Sequence, residues 1–309
     1  MYVPALNAGV AAKICEGRFG NLSSLCFCLE DAITAGCERE AETQLAASLS
    51  FIAEKAAGAK PLLFVRVRDC NQLRRLPGLL GETLGILTGI ILPKFDLSNA
   101  ADYCSQTISI NSALKKPLLV MPIIESRSAI DMSTRYRTLL GIKELLDGCS
   151  GDILNIRVGA MDFCSHLGLR RTINQTIYDI GAVASVLSDI ITVFGSDYVV
   201  SAPVWEYFKG SDDSNSWETG LKNELRLDLA NGFIGKTIIH PSQVEAVLRG
   251  LQPSRADVED ASAILSWQNG SLGVAKSWGG NRMNEAATHK KWARKVLCLA
   301  EIYGVGDSI

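Results

Sequence analysis

LLVMPII, residues 118–124, is an apolar run in the middle of the chain that leads directly into the acidic Glu125. It is rich in Leu, Val and Ile, and it is short enough to be a β-strand buried on both faces. A second run of this kind, ILNIRVGAM at residues 153–161, leads into Asp162. We interpret both as strands of a parallel sheet, with polar chemistry at the downstream end of each strand.

The same pattern recurs along the chain. Further apolar runs end in a charged residue or a histidine, and these end residues are Glu30, Asp31, Arg66, Arg68, Lys94 and His240. The strands that we predict are residues 2–5, 25–29, 62–67, 89–93, 118–124, 153–158, 197–202 and 236–239. Helix-compatible stretches alternate with them, including residues 38–57, 131–147 and 174–192.

Eight strands that alternate with helices predict a closed (β/α)8, or TIM, barrel, which is an α/β fold. Active sites of such barrels lie at the C-terminal ends of the strands. An open, doubly wound sheet is the structural alternative. That sheet gathers its site at one switch point, so polar residues on many separate strand ends favour the closed barrel.

Length and composition set limits on the domain organisation. The chain has 309 residues, which suits one barrel of roughly 250 residues with an extension. We predict a barrel domain over residues 1–252 and a C-terminal helical extension over residues 253–309, with two or three helices that carry tryptophans. Residues 205–220 are polar and predict a long loop over the barrel mouth.

Charge and cysteine usage exclude several classes of protein. The net charge is −2, so nothing in the sequence indicates a nucleic acid or an anionic membrane as partner. No apolar run approaches the ~20 residues that span a bilayer. The nine cysteines form no C-x-x-C pair, which favours a reduced, cytoplasmic protein. Three scattered histidines do not favour a zinc site.

Glu125 and Asp162 follow the fifth and sixth predicted strands. Neighbouring strands lie about 4.8 Å apart, so the two carboxylates can converge on one ion. Two carboxylates with water and substrate oxygens form the ligand set that Mg²⁺ prefers. On spacing alone, two acids in surface loops remain the alternative interpretation.

Arginines and acids at two further strand ends are candidates for catalysis. Arg66 and Arg68 alternate on the third strand, so one can enter the barrel mouth while the other packs outward. An inward arginine binds a carboxylate bidentately, although an ion pair between barrel layers is the alternative. Glu30 and Asp31 end the second strand as an acid–base pair or as acids that favour the start of the next helix.

ANGFIGKT, residues 230–237, fits a loosened nucleotide-binding pattern. The true motif needs a strand before it and a helix after it. Here a helical stretch precedes the segment and the strand KTIIH follows it. We therefore interpret the segment as the end of a helix, a glycine turn and the eighth strand, rather than a nucleotide site.

Several pieces of the chain together resemble the HpcH/HpaI aldolase and citrate lyase β-subunit superfamily. They occur in family order and are LCFCLEDAI, LLFVRV, GIILPKF, MPIIES, VGAMDF and GKTIIHPSQVE. A closer resemblance is to the lyase-like TIM-barrel proteins of tellurite-resistance-type gene clusters. It rests on IRVGAMDFCSHLGLRR, TIYDIG, SAPVWEYF, NGFIGKTIIHPSQ and NRMNEAATHKKWA.

The resemblance implies a Mg²⁺-dependent carbon–carbon bond lyase or aldolase. It assigns the metal ligands to Glu125 and Asp162 and the arginine that holds the substrate's carboxylate or enolate to Arg66. The acidic pair of the second strand carries over to Glu30 and Asp31. The expected substrate is a small oxo- or hydroxy-acid, with a nucleoside- or sugar-derived metabolite as one option, and it reacts through a metal-stabilised enolate.

Three strand-end residues are candidates for substrate binding: Arg68, Lys94 and His240. One departure concerns the segment VPALNAGVAAK after the first strand. Citrate lyase-like members have an arginine-bearing loop there, whereas this chain has no arginine before Arg18. This difference weakens the expectation that the chain binds a coenzyme A thioester.

Two alternative functions remain open at this point. One is a thioester hydrolase or condensing enzyme that uses the same metal site. The other is a non-catalytic, metabolite-binding scaffold of a stress-response complex. We expect a homo-oligomer, a trimer or a hexamer, with no nucleic acid and no membrane as partner.

Overall fold

The computed structural model describes residues 1–55, 60–149, 152–210, 216–267 and 271–306. Eight parallel strands form one sheet in sequential order. These strands are β1 (Tyr2–Pro4), β2 (Ser24–Cys28), β3 (Leu62–Arg66), β4 (Gly89–Leu92), β5 (Leu119–Ile124), β6 (Ile156–Val158), β7 (Val200–Val204) and β8 (Lys236–Thr237). The amide of Tyr2 donates to the carbonyl of Ile238 at 2.9 Å, which joins β1 to the chain after β8. The (β/α)8 barrel is therefore confirmed.

Helices connect the strands. From the N-terminus to the helix that follows β8, they are α1 (Gly9–Cys15), α2 (Glu38–Lys55), α3 (Cys70–Leu80), α4 (Ala100–Ser112), α5 (Arg127–Ile130), α6 (Arg135–Cys149), α7 (Ala160–His166), α8 (Gly181–Phe194), α9 (Ser216–Ala230) and α10 (Gln243–Gly250). Two 3₁₀ helices cover Gly81–Ile86 and Ile177–Asp179. Segment 230–237 has the order that we expected, because α9 ends at Ala230 and β8 begins at Lys236.

Local hydrogen bonds explain why two helices begin later than predicted. The side chain of Asp131 accepts from the amide of Ser133 at 2.9 Å, which forms a turn before α6. Thr176 and Asp179 form a reciprocal capping box around the second 3₁₀ helix. Side chains that bond to nearby backbone in this way compete with helix formation. The helix predicted from residue 174 therefore starts, as α8, at Gly181.

The polar loop over residues 205–220 is shorter than predicted. Helix α9 begins at Ser216, although residues 211–215 of the predicted loop lie outside the described residues. Glu218 lies in the first turn of this helix, where an acid is favourable. Leu221 and Leu225 are four residues apart and both buried, so an apolar face anchors α9 to the barrel.

A buried ionic cluster lies between α9, β8 and the segment before α8. It consists of Arg171, Glu224, Asp228 and Lys236. Lys236 Nζ contacts Glu224 at 2.6 Å and Asp228 at 2.7 Å, and Arg171 pairs with the other oxygen of Glu224. The hydroxyl of Tyr178 donates to Asp228 at 2.8 Å. The lysine of the nucleotide-motif-like segment is thus a structural ion-pair partner.

The structure divides into two compact units, Met1–Val244 and Glu245–Ile309. The predicted division, after residue 252, lies a short distance further along the chain. The second unit contains two long helices, α11 (Arg255–Leu265) and α12 (Lys290–Tyr303), which pack through Ala261, Ile264, Ala293 and Val296.

The second unit also contains an antiparallel hairpin that we did not predict. Its strands are β9 (Val274–Lys276) and β10 (Met283–Glu285). Arg282 stabilises it through ion pairs with Asp257 at 2.7 Å and Asp260 at 2.6 Å. Over the described residues, no helix has the length and apolar character needed to cross a membrane.

Candidate active site

A cavity of about 460 Å³ opens at the C-terminal ends of the barrel strands. Its lining brings together residues from both ends of the barrel unit, including Tyr2, Cys28, Arg66, Glu125, Arg157 and Asp162. Below it, apolar side chains fill the barrel interior, among them Cys26, Phe64, Ile91, Met121 and Ile123. The cavity therefore has a packed apolar floor and a charged wall.

Glu125 and Asp162 form the acidic part of this wall. Glu125 follows β5 directly, and Asp162 lies in the first turn of α7, just after β6. Strands β5 and β6 are neighbours, and the two carboxyl groups lie within hydrogen-bond reach of each other. Glu125 is only 3% exposed, and one of its oxygens accepts from the amide of Lys94 at 2.7 Å. The two acids that the strand spacing predicted to be neighbours are therefore close together, and their role as metal ligands stays a prediction.

Gly159 makes room for the buried carboxylate. A Cβ atom on this glycine would lie 2.0 Å from Oε2 of Glu125 and 2.6 Å from its Cβ. Contacts this short include the base of the side chain as well as its mobile end, so a small rotation of the carboxylate cannot relieve them. The absence of a side chain at Gly159 is therefore required for the observed position of Glu125.

Burial and charge repulsion change the protonation of the acidic pair. Burial, and then the negative charge of Asp162, raises the pKa of Glu125 to about 8. Burial, and then the charge of Asp31, raises the pKa of Asp162. Two close carboxylates in a poorly solvated site cannot both ionise easily. At neutral pH, the pair without a bound cation therefore retains a proton.

This retained proton predicts a pH dependence of stability. Between pH 4.5 and 8 the folded protein keeps a proton on Glu125 that the unfolded chain has released. The free energy of unfolding should therefore fall as pH rises through this window, by at most about 1.4 kcal/mol per pH unit. Urea unfolding in EDTA at pH 5.5, 6.5 and 7.5 would measure it. Glu125→Gln removes the titrating group, so parallel pH profiles of wild type and variant would contradict the assignment.

Arg66 lines the same cavity as the acidic pair. Its guanidinium donates to Sγ of Cys28 at 3.0 and 3.3 Å. The same group contacts Glu30 at 3.2 Å and Asp31 at 3.3 Å. These partners fix the orientation of Arg66 at the end of β3, where the residue lines the cavity.

Lys94 connects the two groups of acids. Its backbone has a φ of 48°, a region that a residue with a side chain rarely adopts. In this conformation its amide donates to Glu125, while its ammonium contacts Glu30 and lies 3.4 Å from Asp31. Strained backbone of this kind is concentrated at functional sites.

The two acids of the second strand differ in environment. Glu30 is 4% exposed, whereas Asp31 is exposed. Burial raises the pKa of Glu30. For Asp31, burial acts to raise the pKa, but the hydrogen bond with Glu30 and the charge of Arg66 outweigh it and lower the pKa. Acids whose pKa values are pushed apart are suited to different roles, one in proton transfer and one as a permanent anion.

None of the three predicted substrate-binding residues, Arg68, Lys94 and His240, belongs to the cavity lining. Arg68 donates to the carbonyls of Glu30 at 3.3 Å and Ile33 at 3.1 Å, so it supports the loop that carries the acids. The ring of His240 stacks on Phe208 with centroids 4.6 Å apart. Their substrate-binding role stays a prediction, as does that of Lys94.

Sequence reasoning missed Arg157 and Tyr2. Arg157 lies within β6 and its side chain enters the cavity, where both it and Arg66 lie over the ring of Tyr2, at 5.3 and 5.1 Å from the centroid. The sequence does show an arginine in the middle of the apolar run 153–161, where a charged residue is unexpected. From that run we predicted only the acid at its end, Asp162.

Comparisons with solved structures agree with the barrel. The citrate lyase of Burkholderia xenovorans LB400 is 18% identical, with a TM-score of 0.72 over 99% of this chain and 92% of that one. The protein CitE from Mycobacterium tuberculosis, in complex with magnesium, acetoacetate and coenzyme A, is 20% identical. Its TM-score is 0.64 over 97% of this chain and 96% of that one.

A third similar structure is the Haloferax volcanii malate synthase in its magnesium and glyoxylate complex. It is 13% identical, with a TM-score of 0.56 over 75% of this chain and 67% of that one. At these identities the likeness concerns the fold. Among curated proteins, none matches the chain significantly.

The family comparison is more specific. One family model matches residues 1–305, and it is described as C–C bond lyase of the TIM-barrel fold. This match covers almost the whole chain and confirms the carbon–carbon lyase that the sequence pieces predicted, whereas the link to tellurite-resistance-type clusters stays a prediction. The chain therefore belongs to the family of carbon–carbon bond lyases with the TIM-barrel fold.

Proposed function

We propose that the protein is a Mg²⁺-dependent lyase or aldolase that cleaves a carbon–carbon bond in a small 2-oxo or 2-hydroxy acid. One observation carries the proposal: the neighbouring carboxyl groups of Glu125 and Asp162 line the same cavity as Arg66. An acid pair suits a cation, and a guanidinium suits a carboxylate or an enolate oxygen. The family assignment supports this choice of reaction.

The residues present fit Mg²⁺. Within the described ranges, no group of three or more His, Cys, Asp or Glu side chains is arranged to hold a metal ion. Mg²⁺ instead takes one or two carboxylates and fills its other positions with water and substrate. The close packing of Glu125 against Gly159 places this carboxylate beside Asp162, and the repulsion that raises the pKa of Glu125 is relieved by a bound cation.

Related structures support the same choice. The citrate lyase β-subunit of Mycobacterium tuberculosis has been solved with oxaloacetate and magnesium, at 19% identity to this chain. When bound by Glu125 and Asp162, Mg²⁺ would supply a Lewis acid for the oxygens of the substrate.

Arg66 binds the substrate and stabilises charge in this proposal. Its position is fixed by Cys28, Glu30 and Asp31, so little reorganisation is needed when a negative charge develops. Preorganised donors of this kind usually make the largest contribution to catalysis. Arg66 therefore holds the carboxylate of the acid and faces the oxygen that becomes the enolate.

Glu30 moves the proton. In the cleavage direction, a base takes the proton of the substrate hydroxyl as the carbon–carbon bond breaks, and the electron pair of that bond passes to the departing carbon. The pKa of the buried Glu30 is raised, because burial outweighs the charges of the adjacent Arg66 and Lys94, and a raised pKa suits a group that takes up a proton. Asp31, with its lowered pKa, stays ionised and balances the charge of Arg66.

A substitution at Gly159 tests the metal site without removing a ligand. Gly159→Ala should displace Glu125 and weaken Mg²⁺ binding by roughly tenfold or more, because second-sphere changes of this kind typically cost 10–100-fold. Calorimetric titration of Mg²⁺ would measure the change. Gly148→Ala is the matched control, since an added Cβ there meets no atom within 4 Å. Equal Mg²⁺ affinity in both variants would contradict the role of Gly159.

Turnover experiments test the proposed reaction. Wild-type protein with Mg²⁺ is incubated with a panel of 2-hydroxy and 4-hydroxy-2-oxo acids, and products are followed by NMR. We expect a new carbonyl product that disappears with EDTA and returns with added Mg²⁺. Cleavage unaffected by EDTA would overturn the metal-dependent mechanism.

The same product analysis separates the alternatives. Release of a thiol from an added thioester without carbon–carbon cleavage would indicate a hydrolase. Joining of two carbon fragments would indicate a condensing enzyme. Tight acid binding with no turnover across the panel would favour the non-catalytic scaffold.

A further inference from the structure

Arg157 places a second guanidinium in the cavity, deeper than the acidic pair. It lies on β6 opposite Ile123 of β5, two residues before Glu125 on that strand. Alternate residues of a strand point to the same face, so Arg157 lies about one strand repeat, roughly 6.6 Å, below the level of Glu125. Its side chain lines the same cavity as Glu125 and Asp162.

The partners of Arg157 are neutral. Its guanidinium donates to the hydroxyl of Thr237 and to Sδ of Met121, the latter at 3.8 Å, and it lies over the ring of Tyr2. Over the described parts of the chain, no carboxylate lies within ion-pair distance of Arg157. The cation is thus held in place without being neutralised.

Other arginines with little exposure differ from Arg157 in this respect. Arg66 is paired with Glu30 and Asp31, Arg135 with Asp189, and Arg171 with Glu224. A largely enclosed charge is unfavourable unless an opposite charge compensates it. Arg157 lines the cavity, so a compensating negative charge can reach it as part of a bound ligand.

We propose that Arg157 binds a second anionic group of the substrate at the floor of the cavity. The proposal rests on the proposed function, in which the metal and Arg66 hold the first carboxylate. The substrate is then a short 2-oxo or 2-hydroxy acid that carries a carboxylate or a phosphate at its other end. The volume of about 460 Å³ and the apolar floor formed by Met121 and Ile123 restrict it to a small molecule.

Calorimetry with matched acids tests this substrate class. Lactate and malate differ by one carboxylate, and glycerate and 3-phosphoglycerate differ by one phosphate. In each pair one acid has two anionic groups, called the dianion here for its two groups, and the other has one, called the monoanion. With saturating Mg²⁺, wild type should bind the dianion of at least one pair about tenfold more tightly than its monoanion, because charge-assisted hydrogen bonds contribute at this level. The pair that shows the difference identifies whether the second group is a carboxylate or a phosphate.

Variants of Arg157 assign the difference. Arg157→Met should reduce the dianion preference to less than about twofold, while monoanion binding stays within about twofold. Arg157→Lys keeps the positive charge but lacks the two-pronged hydrogen bonding of a guanidinium, so it should retain part of the preference. This variant keeps the test informative if Arg157→Met fails to fold. Arg137→Met, on the exposed face of α6, is the control and should behave as wild type.

Two results would overturn the inference. One is a wild type with no preference for either dianion, and the other is a preference that survives in Arg157→Met. Failure of the proposed function has a different signature, which is the absence of Mg²⁺-dependent binding of lactate and glycerate by wild type.

Discussion

Asp162→Ala is expected to abolish Mg²⁺ binding in the measurable range and to reduce kcat/KM by roughly 10³-fold or more, a loss of about 4 kcal/mol of transition-state stabilisation. With Asp162 removed, a single buried carboxylate remains for the cation. The same change removes the charge that helps to raise the pKa of Glu125. The variant without metal loses the favourable charge at the start of α7 and gains from reduced repulsion, so its stability should stay within about 1 kcal/mol of wild type and loss of activity is separated from loss of folding.

The chain offers a close control for this variant. Asp102 lies in the first turn of α4 as Asp162 lies in the first turn of α7, but it is exposed and distant from the cavity lining. Asp102→Ala removes the same favourable charge at a helix start, worth about 0.3–1 kcal/mol, and should leave Mg²⁺ binding unchanged. If Asp162→Ala bound Mg²⁺ and turned over substrate within tenfold of wild type, the assignment of the metal site would be wrong.

Glu224→Ala is expected to destabilise the fold by about 3–5 kcal/mol. Glu224 is fully buried in the ionic cluster and pairs with both Arg171 and Lys236. It also accepts from the amide of Ile177 at 2.6 Å. Its removal leaves two buried cations short of an acid and a backbone donor without its acceptor. Urea unfolding at constant pH would measure the loss.

Two further variants define this effect. Glu224→Gln keeps an acceptor at nearly the same place, so it should be less harmful than alanine. Glu218→Ala lies on the same helix, where its ion pair with Lys222 is at the surface, and it should cost no more than about 1 kcal/mol. A loss below about 1 kcal/mol for Glu224→Ala would show that the cluster does not stabilise the barrel.

The barrel could be predicted from the sequence because each strand is a short apolar run with a polar residue at one end. This regularity was enough to predict the order of the strands and the proximity of Glu125 and Asp162. It did not place the starts of α6 and α8, since side-chain hydrogen bonds at Asp131 and Thr176 set them locally. The hairpin of the second unit was not predicted, because strands of three residues are too short to show the alternation of apolar and polar residues.

The candidate site was predicted less completely than the fold. A polar residue at the end of an apolar run can be recognised in the sequence. The role of a side chain that points into the barrel from within a strand can be recognised only when the residues on the other side of the barrel are known. Arg157 and Tyr2 belong to this second kind, since they are neighbours across the barrel and distant in the chain. The oligomeric state and the cytoplasmic location stay predictions, because neither follows from the packing of one chain.

At Lys94, the left-handed backbone lowers stability, while the side chain supplies a positive charge to the candidate site. A non-glycine residue in this region carries strain of about 1 kcal/mol or more. A glycine at position 94 would relieve the strain and keep the amide for Glu125, but it would lose the ammonium beside Glu30. Glycine at this position would therefore favour stability, whereas the lysine keeps a positive charge beside Glu30 at the cost of backbone strain.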